Sequence, residues 1–210
     1  TTTKDGVRLV WRVSKVGEHP DMDPFKQDEQ RILSLGYNSP FEEVALALQL
    51  SAGGIQTTYP RAIYMTGETV ELSAGISDSR RYLSHARLVM PDGREALREG
   101  HDYIILWGYW NAPDELLAVR DEDIYRGINA LAAYREGALD EGTYLSLMQR
   151  TRDRMGELGI EDLNLRGNHI LLSLDLSGKL VKDPDGLPAV RICNFELLRK
   201  TGPARRDDEG

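Results

Sequence analysis

The chain has 210 residues, 40% hydrophobic and 29% charged, and no segment approaches the roughly 20 apolar residues of a membrane helix, so we expect a soluble globular protein without a membrane partner. Its 34 acidic and 26 basic residues give a net charge of −8, which argues against a protein that binds nucleic acid by neutralising phosphates. The one cysteine, Cys193, excludes an intramolecular disulfide and favours a reducing compartment, so a cytoplasmic location is expected.

The first half of the chain is predicted to be rich in β-strands. Residues 7–16 alternate in polarity, which indicates a strand whose half-buried face carries Val7, Leu9, Trp11 and Val13. After a polar stretch, Ser39-Pro40-Phe41-Glu42 combines an N-cap serine, a first-turn proline and a capping glutamate, and predicts a helix that ends near Ala52. Further strands are predicted over residues 55–65, 86–90 and 103–110, the last as a buried central strand.

The second half is predicted to be helical up to a late β-hairpin. Helical spacing of apolar residues covers 114–119, 121–136 and 141–158. A polar loop at 161–168 leads into a strand at 169–174, and a turn rich in Asp, Gly and Pro connects this strand to another at 189–195. Residues 201–210 are charged and are predicted to form a flexible tail. This order predicts an α+β fold with a β-rich N-terminal lobe over 1–110 and a mainly helical C-terminal lobe over 111–200.

Polar side chains gather at one end of the predicted hairpin. Asn168 precedes its first strand and Asn194 ends its second, and the loop before Asn168 contributes Asp162, Asn164 and Arg166. Such side chains either satisfy nearby backbone groups or line a functional pocket, and the sequence leaves both alternatives open. His169 and Cys193 are expected in structural roles, as a hydrogen-bonded histidine and a small core residue.

The order of these motifs resembles that of protein kinases and of aminoglycoside-type phosphotransferases over most of the chain. Val13-Ser14-Lys15-Val16 is similar to the strand whose lysine holds nucleotide phosphates, and Ser39 to Glu43 open a helix placed like the one whose acidic residue pairs with that lysine. The strand at 103–110 resembles the hinge strand, and residues 161–174 resemble the catalytic loop. Asn194-Phe195-Glu196 stands where the family has an Asp-Phe-Gly or Asp-Phe-Glu metal motif.

The resemblance implies a set of site residues. Asp162 would be the catalytic base, Lys15 and Glu43 would serve the nucleotide, and Asn168 with Asn194 would hold both ATP and its Mg²⁺. The chain departs from the family pattern, because position 194 is Asn, Asp162 lies six residues before Asn168 (one more than usual), and no glycine-rich loop precedes Lys15. An amide oxygen can ligate Mg²⁺ but supplies no charge to hold it against water.

Three functions follow from these observations. The first is a divergent kinase-fold protein, a pseudokinase without the full catalytic set, that acts as a binding or interaction module for a protein partner, with weak nucleotide binding. The second is an ATP- and Mg²⁺-dependent phosphotransferase that acts on an unknown acceptor. The third is an unrelated α+β protein that serves as a structural subunit of an assembly and has no nucleotide site.

Overall fold

The computed structural model describes residues 1, 3–4, 6–7, 9–69, 77–108 and 126–201, and they form the mixed α+β fold that the sequence predicts. Among these residues, no helix combines the length and the apolar character that a bilayer-spanning segment needs. The helices are α1 (Gln27–Leu35), α2 (Pro40–Ala52), α3 (Arg80–His85), α4 (Ala130–Arg135) and α5 (Glu141–Glu157). The strands are β1 (Leu9–Val13), β2 (Tyr59–Thr69), β3 (His101–Gly108), β4 (Arg126–Asn129), β5 (Ile160–Asp162), β6 (Ile170–Leu174), β7 (Arg191–Ile192) and β8 (Leu198–Lys200).

A three-stranded antiparallel sheet and α2 dominate the first half. Strand β3 lies in the middle, between β1 and β2. The N-terminus of α2 is the predicted capping box, in which Ser39 Oγ accepts from the Glu42 amide at 3.2 Å and Glu42 Oε2 accepts from the Ser39 amide at 2.8 Å. These bonds satisfy two backbone donors that the helix itself leaves unpaired. The helix buries Leu46 and Leu50 in the main core.

The second half contains α5 and the predicted hairpin. Helix α5 begins at the Asp140 N-cap and buries Leu147, Met148 and Met155, which confirms the predicted helix. Strands β6 and β7 pair antiparallel, with Ile170 opposite Ile192, and β4 adds to the other edge of β6. The hairpin prediction is therefore confirmed, although β7 is only two residues long.

One hydrophobic core includes side chains from both halves of the chain. Trp107 of β3 stacks on Phe195, which follows β7, with ring centroids 4.8 Å apart. Both rings are buried, at 3% and 0% exposure. Stacked aromatic pairs at this distance contribute beyond the area that they bury. The predicted lobe boundary near residue 111, the helix at 114–119 and the tail from 202 onward lie outside the described residues.

Several predicted elements differ from the observed ones. The polar stretch at 17–38, for which no element was predicted, contains α1, because the guanidinium groups of Arg80, Arg81 and Arg199 donate to carbonyls at the end of this mostly exposed helix. Residues 126–129 form a strand instead of a helix, because their pairing with β6 overrides their helical spacing.

Two smaller features also differ from the prediction. A short ladder between β5 and β8 replaces part of the predicted polar loop. Residues 86–90 form no strand, contrary to the prediction, and Val89 makes an isolated bridge with Glu95 across the turn at Pro91-Asp92-Gly93.

The buried face predicted for residues 7–16 is wrong at Trp11 and Val13, whereas Val7 on the same face is 4% exposed and Leu9 is partly buried. Trp11 and Val13 were expected to be half-buried, but they are 56% and 41% exposed. The opposite face carries Arg12, whose side chain is only 24% exposed. Alternation in the sequence separates the two faces of a strand but does not identify which face packs against the protein. Here the buried Glu43 of α2 pairs with Arg12 and so selects the face that carries the arginine.

Candidate functional site

Arg12 is the centre of a polar network that joins β1 to α2 and to the segment after β7. Its Nη2 donates to Glu43 Oε2, while its Nη1 donates to Glu196 Oε1 at 3.0 Å and to Asn194 Oδ1 at 3.2 Å. Burial lowers the pKa of Arg12, and the negative charge of Glu196 opposes that effect. The arginine thus neutralises two carboxylates where little water reaches.

Glu43 is held at this position by the first turn of α2. Its side chain has no exposed surface, and the capping box at Ser39 fixes the turn from which it projects. An acid in the first turn also interacts favourably with the positive end of the helix dipole. Within the described part of the chain, Glu43 Oε1 has no hydrogen-bond partner. Arg12 is therefore the ion-pair partner that makes burial of this acid tolerable.

Lys15 lies at the exposed edge of the network. Its Nζ is 3.6 Å from Glu196 Oε2 and 5.0 Å from the centre of the Tyr37 ring, and its side chain is 45% exposed. Glu43 forms its ion pair with Arg12, which precedes Lys15 by three residues, and not with Lys15. The structure thus brings Lys15 to the same cluster as Glu43, through Glu196, and leaves its ammonium group partly in solvent.

The side chain of Asn194 is held in the network by two hydrogen bonds. Its Oδ1 accepts from Arg12 Nη1 and from the backbone amide of Glu196 at 3.0 Å. These two bonds engage the oxygen that would otherwise serve as a metal ligand. Phe195 anchors the segment in the core through its stacking on Trp107.

Asn168 lies at the same end of the hairpin but in different surroundings. Cys193 joins the two asparagine segments. Its backbone amide donates a hydrogen bond to the His169 carbonyl at 2.9 Å, and its Sγ donates to the Asn168 carbonyl at 3.6 Å. The residue itself is exposed and lines an open groove beside α5, which also contains Tyr144 and Arg152. The hairpin therefore brings the two asparagines close in the backbone, while their side chains meet different neighbours.

Asp162 is engaged within its own loop. Its Oδ1 accepts from the Asn164 amide at 2.9 Å, and its Oδ2 lies 3.4 Å from His169 Nδ1. Only 4% of the carboxylate side chain is exposed, and β5 holds its backbone against Leu198 of β8. His169 is buried and hydrogen-bonded, in agreement with its expected structural role. This geometry orients Asp162 toward the loop interior.

Sequence reasoning missed Arg12 as a site residue, although it is the residue with the most contacts in the network. The signal was available in part, because Arg12 interrupts the apolar run Leu9-Val10-Trp11 on a strand that precedes an acid-bearing helix. Its importance depends on the inward orientation of that one side chain, which strand periodicity alone does not give.

The described residues contain no group of three or more His, Cys, Asp or Glu side chains arranged to hold a metal ion. At Asn194 the amide oxygen is occupied by two donors, and the adjacent cationic Arg12 repels a dication. Comparison with family models, with curated proteins and with solved structures finds no match to this chain.

Proposed function

We propose that this chain is a divergent kinase-like protein that acts as a binding or interaction module for a protein partner, with weak nucleotide binding and without phosphotransferase chemistry. The bilobal arrangement of that family, with a β-rich lobe followed by a mainly helical lobe, is part of the proposal. The observation that carries it is the closed network in which Arg12 is shared by Glu43, Glu196 and Asn194.

The position of the network supports the family likeness. A strand cation paired with an acid on the following helix is a recurring part of kinase sites, and β1 with α2 provides that pair through Arg12 and Glu43. The same cation contacts the segment that begins at Asn194, where the resemblance expects a metal motif. The contacts of Arg12 with Glu43 and Asn194 thus support the resemblance independently of the order of motifs in the sequence.

The occupation of the network argues against catalysis. In phosphoryl transfer, the protein positions the phosphates and neutralises their charge, largely with a lysine and bound Mg²⁺. Here the Arg12 guanidinium is committed to two carboxylates, and Asn194 Oδ1 is committed to two donors. Asp162, the expected base, is buried and bound to its own loop. The expected base and one of the two expected metal ligands are therefore engaged by other groups of the protein.

Lys15 is the cation through which a nucleotide would bind. Its ammonium group is partly exposed beside the Tyr37 ring, so it can approach a phosphate without breaking the pair between Arg12 and Glu43. One solvent-exposed lysine acts as a point charge that salt screens, so we expect weak binding that does not require Mg²⁺.

The test is thermal unfolding in the presence of ATP, with and without Mg²⁺. We expect a saturable stabilisation that is similar in both conditions and that Lys15→Gln reduces. ATP at about ten times its Kd would stabilise the protein by about 1.4 kcal/mol, so about 10 mM ATP detects binding with a Kd of about 1 mM. Lys26→Gln is the matched control, because Lys26 is an exposed lysine whose ion pair among the described residues is with Glu29 and not with Glu196. Absence of a shift at millimolar ATP would remove the nucleotide part and favour a structural subunit.

Catalysis is tested separately by ATP hydrolysis. We expect no turnover above that of the heat-inactivated protein, and therefore no difference between the wild type and Asp162→Asn. Turnover that requires Mg²⁺ and is lost in Asp162→Asn would replace the proposal with the phosphotransferase alternative.

A further inference from the structure

A second cavity, remote from Arg12, lies on the outer face of the hairpin. It has a volume of about 620 Å³ and is lined by the loop after α2, by α5, by β6 with β7, and by the turn over 181–190. This volume falls within the range of sites that hold small molecules. None of Arg12, Lys15, Glu43 or Asn194 lines it, so it is separate from the network described above.

The cavity has an excess of positive charge. Four basic and two acidic side chains line it, so the formal net charge of the lining is +2. The basic residues are Arg150, Arg154, Lys182 and Arg191, and the acidic residues are Asp183 and Asp185. The whole chain has a net charge of −8, so this concave surface has the opposite sign from the protein that surrounds it. A cleft lined by one sign of charge concentrates ligands of the other sign.

Asp183 contributes less to the cavity than its charge suggests. Its Oδ2 accepts from Arg150 Nη1 at 3.1 Å, and its Oδ1 accepts the backbone amides of Asp185 and Leu187 at 3.1 and 3.0 Å. The carboxylate therefore closes the turn and fixes Arg150, which also donates from Nη2 to the Pro188 carbonyl at 2.7 Å. An arginine held in this way has already lost the conformational freedom that ligand binding would otherwise cost.

Arg154 lies one helical turn beyond Arg150 and has more donors to offer. Its Nη2 donates to the Gly54 carbonyl at 3.0 Å, which attaches the guanidinium to the loop after α2. A guanidinium group has five N–H donors, and the described residues engage one of them. Apolar side chains of Leu171, Val181 and Val190 complete the lining between the charged groups.

We propose that this cavity binds a small polyanion that carries two or more phosphate or carboxylate groups. The separated cations, with Arg150 and Arg154 both anchored to backbone carbonyls, match a ligand with more than one anionic group. The apolar lining accommodates the skeleton that joins those groups. This site does not depend on the proposed nucleotide site.

The experiment is a titration with pyrophosphate and, separately, with citrate at constant ionic strength, followed by calorimetry and by thermal unfolding. We expect saturable binding of at least one probe, and the preferred probe identifies phosphate or carboxylate as the recognised group. The variant Arg154→Gln/Lys182→Gln should weaken that binding at least tenfold, because it removes two of the four cations. Glutamine at position 154 retains a donor for the Gly54 carbonyl.

The matched control is Arg152→Gln, which lies on the same helix but lines the groove beside Asn168. It should bind the probe as the wild type does. If the double variant fails to fold, Lys182→Gln alone removes an exposed cation and should weaken binding at least threefold. The proposal is overturned if neither probe saturates, or if the double variant and the control bind equally.

Discussion

Arg12 and Asn194 are 182 positions apart in the chain, and the Nη1 of Arg12 donates a 3.2 Å hydrogen bond to the Oδ1 of Asn194. The contact joins a strand of the first sheet to the end of the late hairpin. It also occupies, with the Glu196 amide, the oxygen that a metal ion would use. This one contact therefore connects two distant parts of the fold and also supports our proposal that the protein does not catalyse phosphoryl transfer.

Removal of Arg12 should strongly destabilise the protein. In Arg12→Met the carboxylate of Glu43, which has no exposed surface, would lose its cationic partner. An uncompensated buried charge of this kind costs about 3–5 kcal/mol. The measurement is the free energy of unfolding in denaturant, at neutral pH.

The double variant Arg12→Met/Glu43→Met controls for loss of packing. Replacement of a buried ion pair by apolar side chains of similar volume is often nearly neutral, so we expect most of the stability to return. A loss in the double variant as large as that in Arg12→Met would show that the charge of Glu43 is not the cause.

Phe195 should contribute to stability far more than its position at a loop implies. The ring is fully buried and stacks on Trp107, so Phe195→Ala removes both apolar burial and the aromatic pair. We expect a loss of about 3–5 kcal/mol in the free energy of unfolding. Phe25→Ala is the control, because Phe25 is 92% exposed and its truncation should change stability by less than about 0.5 kcal/mol. Similar losses in the two variants would contradict the packing.

Cys193 should be unreactive in the folded protein. Burial raises the pKa of its thiol from 9.0 to about 11, while the charge of Arg12 acts in the opposite direction. Since the thiolate is the nucleophile, alkylation by iodoacetamide at pH 8 should be on the order of 100-fold slower than for an exposed cysteine. Labelling after unfolding in denaturant provides the reference rate. Equal rates in the folded and unfolded protein would refute the prediction.

Asp78 should make the protein sensitive to acid. Burial alone would raise the pKa of Asp78, but hydrogen bonds from Arg80 lower it below the usual 3.8. A depressed pKa means that the stabilisation is fully present above about pH 4 and is lost as the pH falls through the folded-state value. Asp78→Asn should therefore lower stability at neutral pH and flatten its dependence on pH below 4. Parallel acid profiles for the two proteins would contradict this.

The elements that the sequence predicted correctly are those with local causes. The capping box at Ser39 fixes the start of α2, and the Asp140 N-cap with an apolar stripe defines α5. Apolar runs on both sides of a turn define the β6–β7 hairpin. The capping hydrogen bonds join residues three positions apart, and the two hairpin strands follow one another in the chain.

The elements that the sequence missed depend on distant partners. Helix α1 depends on arginines from α3 and β8, and β4 depends on β6. Asp162 and Asn168 were expected to share a cleft with Asn194, yet the first is bound by its own loop and the second lies beside α5. Propensity and spacing carry no information about these contacts, because their partners are chosen by packing.

By itself, the sequence determined the α+β character, the capping box of α2 and the chain position of the hairpin. Only the tertiary structure decided that Arg12 and not Lys15 is the partner of Glu43. The physical reason is that strand alternation leaves two faces equivalent until one of them packs. Here the cost of burying the Glu43 carboxylate without a counter-charge favours the face that carries the arginine.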